Sequence, residues 1–166
     1  MFKTETTTLE NLMAAFAGES QANRKYLAYA KQAEKDGNLN AAKLFRVAAE
    51  AETIHALKHF NAAGKVGTTV DNLKDAVAGE TYEYKSMYPG FVNKAEKEAN
   101  AAAVKSFTNA MKAEMVHAGL YQEALDNLGQ TEEVYYYLCP VCGNIEKSVP
   151  ATCPICGIPG ERFVKY

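Results

Sequence analysis

Two Glu-x-x-His pairs, Glu52 with His55 and Glu114 with His117, are the first places where this chain could do chemistry. Two Cys-x-x-Cys-Gly segments, Cys139 to Gly143 and Cys153 to Gly157, are the others. Residues three apart share a helical face, so each Glu and His can reach one centre. Carboxylate with imidazole suits iron or manganese. Four thiolates make a tetrahedral site that fits zinc as well as iron. All four cysteines lie in the last 28 residues, a spacing that points to metal rather than disulfides in a reducing compartment.

The helices that must carry the Glu-x-x-His pairs have inward seams at alternating steps of three and four. These seams bring in further acids: Glu19 on the first helix, Glu80 and Glu83 on the third. Above and below, the seams are apolar or aromatic, as in Leu12, Phe16, Phe45, Leu73 and Phe107. Five glutamates would thus face one core layer, with no Lys or Arg on the seams. Burying even one unpaired carboxylate costs several kcal/mol, roughly, or forces protonation. Two metal cations would neutralise the layer. His59 also falls on the seam, one turn after His55, but has no Glu three residues before it. It reads as a supporting or core histidine rather than a ligand.

Short segments recur. AFAGES (Ala15 to Ser20) matches AVAGET (Ala76 to Thr81), and AETIHA (Ala51 to Ala56) matches AEMVHA (Ala113 to Ala118). Glu19 and Glu52 are 33 residues apart, Glu80 and Glu114 34. The first two helices therefore read as a pseudo-copy of the next two. One difference breaks the symmetry: Glu83 stands opposite Ala22. An extra carboxylate has a use if Glu83 and His55 compete for one iron, ferric iron preferring the oxygen ligand and ferrous iron accepting imidazole.

Composition changes near residue 130, from Ala, Glu, Lys and Leu to Tyr, Val, Pro, Gly and Cys. The expected domains are 1–130, a helical bundle, and 134–166, a small four-cysteine domain covered by Tyr137 and Phe163. Helix A is expected from Thr7 to Asp36, with Thr7 and Glu10 as a capping box and Gly37 as the stop. Helix B should run from Asn38 to Ala63. Helix C should start near Asp71 and be kinked or broken at Pro89-Gly90. Helix D should run from Lys97 to Asn127. The chain has 166 residues, 48% of them hydrophobic, and a formal charge of −2. That balance argues against a nucleic-acid or polybasic membrane footprint. The opening MFKTETTTLENL does not read as a signal peptide. The longest uncharged stretch, 148–160, contains three prolines and could not span a bilayer as a helix. A cytoplasmic location is expected.

Taken in order, Glu19, Glu52-x-x-His55, Glu80-x-x-Glu83, Glu114-x-x-His117 and the paired CPxCG segments resemble the rubrerythrin family over nearly the whole chain. The resemblance implies a mainly α fold: a ferritin-like four-helix bundle, then a rubredoxin-like four-cysteine β-ribbon. It implies two irons bridged by Glu52 and Glu114. Glu19 would bind one iron together with Glu83 or His55, and Glu80 and His117 would complete the other. Tyr26 and Tyr88 would hydrogen-bond ligand glutamates, although a packed core tyrosine fits either position nearly as well. A third iron would sit on Cys139, Cys142, Cys153 and Cys156, with zinc as a substitute. The implied activity is reduction of hydrogen peroxide to water in oxidative-stress defence of an anaerobe or microaerophile. Electrons would come from rubredoxin or from a separate NAD(P)H-dependent reductase. A homodimer or higher is implied, because the short linker after helix D can leave the tail's iron far from its own chain's centre. No nucleic-acid or membrane partner is implied. Ferritin-like iron oxidation and storage is the alternative, and a zinc-ribbon interaction protein a more distant one. The ten-residue spacer between the cysteine pairs is shorter than in free-standing rubredoxins.

Overall fold

Alanine governs the packing of the helices. In a computed structural model, which describes residues 6–166, α1 (Thr8–Lys35) and α2 (Leu39–Ala62) form a hairpin. Ala30 and Ala33 on α1 and Ala42, Ala49 and Ala56 on α2 are buried, and small side chains let the two backbones approach closely. Thr7 caps α1 reciprocally with Glu10, as its T-x-x-E spacing predicts. The chain divides into two units at Gly67/Thr68.

The second unit holds α3 (Thr69–Tyr82), a π-helical turn (Glu83–Met87), α4 (Tyr88–Lys97), α5 (Ala101–Asp126) and the tail. Thr68 and Asp71 form a capping box that starts α3 two residues before the expected Asp71. Pro89-Gly90 does not break the helix. The π turn precedes it, with the Tyr88 N–H bonded to the Glu83 carbonyl five residues back. Proline then stands in the first turn of α4, where its missing N–H matters least.

The π turn has a visible origin. Glu19 and Glu80 are 61 apart, but Tyr26 and Tyr88, and Ala33 and Ala95, are 62 apart. One residue has been added between Glu80 and Tyr88, where the wide turn lies. Beyond it the halves coincide again. Tyr26, Tyr29 and Phe45 form a ring cluster with centroids 6.3, 6.2 and 5.5 Å apart. Tyr88, Phe91 and Phe107 repeat it at 6.1, 6.2 and 5.5 Å.

Helix D begins at Ala101 rather than Lys97, because Glu98 to Asn100 form a turn. AEKEAN (Ala95 to Asn100) copies AEKDGN (Ala33 to Asn38), with alanine in place of the stop glycine. The hydrogen bonds match: Asn38 N–H to Ala33 O at 2.8 Å and Asn100 N–H to Ala95 O at 3.0 Å. Gly37 has φ +78° and Ala99 φ +53°, the left-handed conformation that closes such a helix end.

In the tail, β1 (Tyr137–Leu138) is central in a three-stranded antiparallel sheet, between β2 (Ile145–Glu146) and β3 (Val164–Lys165). Its most buried side chains are Asn144 and Cys139. A Cβ on Gly160 would stand 1.6 Å from the Pro150 carbonyl oxygen, so only glycine fits there.

Among the described residues no helix is long and apolar enough to cross a membrane. The N-terminal signal-peptide reading falls in part on residues 1–5, outside the described residues.

Two predictions follow from the backbone. Ala99→Gly should stabilise the protein by about 1 kcal/mol, the lower end of the left-handed penalty for a side chain. Thermal unfolding should show this as a rise of about 2–4 °C. Gly160→Ala should prevent closure of the tail, and thiol titration should then find all four cysteines reactive where the parent protects them.

Candidate metal centre

Each helical unit gathers one group of ligands. In the first, Glu19 from α1 and Glu52 and His55 from α2 bring their ligand atoms within 4.8 Å of one another. His55 Nδ1 lies 3.0 Å from Glu52 Oε2, and its ring is 53% exposed. In the second, Glu80 from α3 and Glu114 and His117 from α5 converge within the same limit. His117 Nδ1 is 2.7 Å from Glu114 Oε2 and 4.0 Å from Glu80 Oε2, and its ring is 17% exposed.

Electrostatics show why such a group wants a cation. Burial, then the hydrogen bond and charge of Glu114, raise the Glu80 carboxyl above its ordinary range, and His117 only partly offsets them. Burial and then Glu80 raise Glu83. Burial, then Glu83, Glu114 and Glu80, raise the Tyr88 phenol. Glu83 and Tyr88 therefore lie in the field of the second group, although Glu83 is not one of its three converging ligands. His59 joins neither group. Tyr26 and Tyr88 make the ring contacts already described.

His117 supplies the sharpest test of fit. Its Nε2 lies 2.9 Å from the carbonyl oxygen of Gly143, in the first cysteine turn. A carbonyl only accepts, so Nε2 carries the proton. Nδ1 then faces carboxylate oxygens that also only accept. A neutral imidazole can satisfy one side only, and a cation among Nδ1, Glu80 and Glu114 satisfies the other. This contact sets the first cysteine turn against α5. The sequence offers no cue to it, because the partner is a backbone carbonyl. Asn23, a buried amide on α1, likewise reaches across the hairpin, donating to Ala49 O at 2.7 Å and to Thr53 Oγ1 at 2.8 Å.

The four cysteines form a cage. Their sulfurs lie within 4.8 Å of one another, with Cys139 to Cys156 at 3.5 Å and Cys142 to Cys153 at 3.6 Å. Tetrahedral thiolates around one ion would be about 3.8 Å apart, so the cage is near binding size. Each Cys-x-x-Cys-Gly closes on itself. Gly143 N–H bonds Cys139 O at 3.0 Å, and Gly157 N–H bonds Cys153 O at 2.9 Å. Backbone N–H groups of Asn144 and Ile158 reach the sulfurs of Cys142 and Cys156. Burial raises Cys153, but the N–H groups of Cys156 and Ile155, together with the Cys156 and Cys142 thiols, more than offset it and bring the thiol to about 7.

Comparison with known proteins agrees with this arrangement. The family profile described as Rubrerythrin matches residues 10–125, and that described as Rubrerythrin, rubredoxin-like domain, matches residues 137–164. Nigerythrin of Nitratidesulfovibrio vulgaris is 41% identical over 175 residues, covering 96% of this chain and 87% of the relative. Rubrerythrin-2 of Clostridium acetobutylicum is 36% identical over 182 residues, covering 96% of each. A solved structure of nigerythrin in a partially reduced state matches with a TM-score of 0.60 at 38% identity, covering 99% of this chain and 89% of that one. The residues of a di-iron carboxylate site and of a four-cysteine rubredoxin-like iron site are both present. With its ferritin-like helical part and its cysteine tail each matched in order, the chain belongs to the rubrerythrin family.

Proposed function

We propose that this protein reduces hydrogen peroxide to two waters, taking two electrons and two protons per turnover. The observation that carries this reading is the pair of carboxylate–imidazole groups on a chain whose cysteine cage touches one of their histidines. Glu19, Glu52, His55, Glu80, Glu83, Glu114 and His117 would hold two irons, and Cys139, Cys142, Cys153 and Cys156 a third. When bound, the iron pair supplies both electrons together, and the thiolate-held iron supplies them singly.

The chain's own groups then manage ligand exchange and protons. His55 is half exposed and in contact with Glu52, which leaves it room to move; with iron bound, it and Glu83 would compete as ligands. Tyr88 keeps its phenolic proton in the field of Glu83, Glu114 and Glu80. Tyr88 and the glutamates around it would relay protons toward a bound peroxide. Electrons enter at the tail from rubredoxin or an NAD(P)H-dependent reductase. Four cysteines grouped as a metal cage support a reducing, cytoplasmic setting. Leu44, Val47, Ile54 and Leu57, all more than half exposed on α2, support self-association as a homodimer or higher.

Glu83→Ala should lower peroxide turnover at least about tenfold, measured with saturating reductant and both irons quantified. Unchanged turnover with unchanged occupancy rules out the ligand exchange. Zinc in place of the tail iron should abolish reductase-coupled turnover, yet leave chemically reduced protein able to consume peroxide once in stopped flow. Full coupled turnover with zinc in the tail rules out the relay.

A further inference from the structure

The two ligand groups are copies in sequence but differ in their surroundings. His55 has Glu52 beside it and is 53% exposed. His117 is 17% exposed and has its second nitrogen held by the Gly143 carbonyl. Among the described residues, His117 reaches a partner outside the helices.

Gly143 is in turn held by the cysteine cage. It follows Cys142, bonds Cys139 O at 3.0 Å and has φ +82°. The next residue, Asn144, is fully buried, sends its N–H to the Cys142 sulfur, and receives the Cys139 N–H at 2.8 Å. So the carbonyl that touches His117 is fixed by a loop whose geometry is that of a metal knuckle. The tail has few other means of holding that loop. Cys139, Cys153, Asn144 and Gly160 are its buried residues, and none is a large apolar side chain. A domain with so little core depends on its ion for order.

His117 also lines a half-open, mostly apolar cavity of about 410 Å³ together with Leu120, Tyr121, Tyr136, Leu138 and Ile145.

We propose that the ion held by the four cysteines orients His117 through the Gly143 carbonyl, and so tightens metal binding by the Glu80, Glu114 and His117 group. The tail is then a positioning element for the helical centre as well as a carrier of electrons. Coupling of this kind is reciprocal, so a cation on Glu80, Glu114 and His117 tightens the cage's hold on its own ion by the same factor. The inference rests on the metal reading of the ligand groups and not on peroxide as substrate.

The test uses the full chain, stripped of iron and prepared in two states: cysteines reduced and empty, or filled with one zinc. Zinc carries no electron, so any effect is one of orientation. Manganese(II), which competes poorly for thiolates, is titrated into each state and followed by electron paramagnetic resonance. The expected result is that zinc tightens one manganese site by about tenfold or more and leaves the other unchanged. In parallel, imidazole nitrogen NMR should show His117 protonated on Nε2 in the zinc state and exchanging between tautomers in the empty state. Equal manganese affinity in the two states overturns the proposal, as does equal weakening of both sites, which would report general loss of structure. Absence of manganese binding in either state overturns it together with the metal reading.

Discussion

Carboxylates crowded on helical seams that carry no Lys or Arg are the constraint around which this protein is organised. Glu80 and Glu83 are both driven above their ordinary range by burial and by their acidic neighbours. Such groups are tolerable only with protons or with metal, and a repeated arrangement is hard to maintain for protons alone. Glu19, Glu52 and His55, and then Glu80, Glu114 and His117, are held by alanine-packed helices capped by paired threonine boxes. The scaffold is ordinary in its chemistry. Its unusual content is concentrated at these few side chains.

Much of this was legible in the residues because metal ligands need particular types at particular spacings. Glu-x-x-His on one helical face and Cys-x-x-Cys-Gly in a tight turn are such patterns, and in both the ligand atoms converge. The start and end of α1 were legible as well, since Thr7, Glu10 and Gly37 carry recognisable capping chemistry. The start of α5 was hidden because Ala99 adopts a conformation its side chain resists, and alanine ordinarily reads as helix. Only comparison with Gly37 in the other half exposes it. Before Pro89 the helix is interrupted by a wide turn rather than ended. A proline predicts disruption, but the preceding wide turn had already released the hydrogen bond that it would break.

The contact between the tail and α5 belongs to a third category. His117 was identifiable as a candidate ligand, but its companion is a backbone carbonyl, that of Gly143, a group every residue possesses. Backbone acceptors leave no trace in composition, and distance along the chain is a poor guide when a short linker folds back. The same holds for the bridge made by Asn23 between α1 and α2, whose partners are one carbonyl and one hydroxyl.

The single added residue between Glu80 and Tyr88 has a consequence for how this architecture can vary. In a regular helix each inserted residue rotates everything beyond it by about 100°, enough to carry a whole stripe of side chains away from its layer. The five-residue widening absorbs that rotation locally, so the aromatic trio downstream keeps the spacing of its counterpart. Helix length in such a protein is therefore a stricter inheritance than amino-acid identity. Substitutions can accumulate along the surface, while a change in count survives only where the backbone can take up the slack in a single turn.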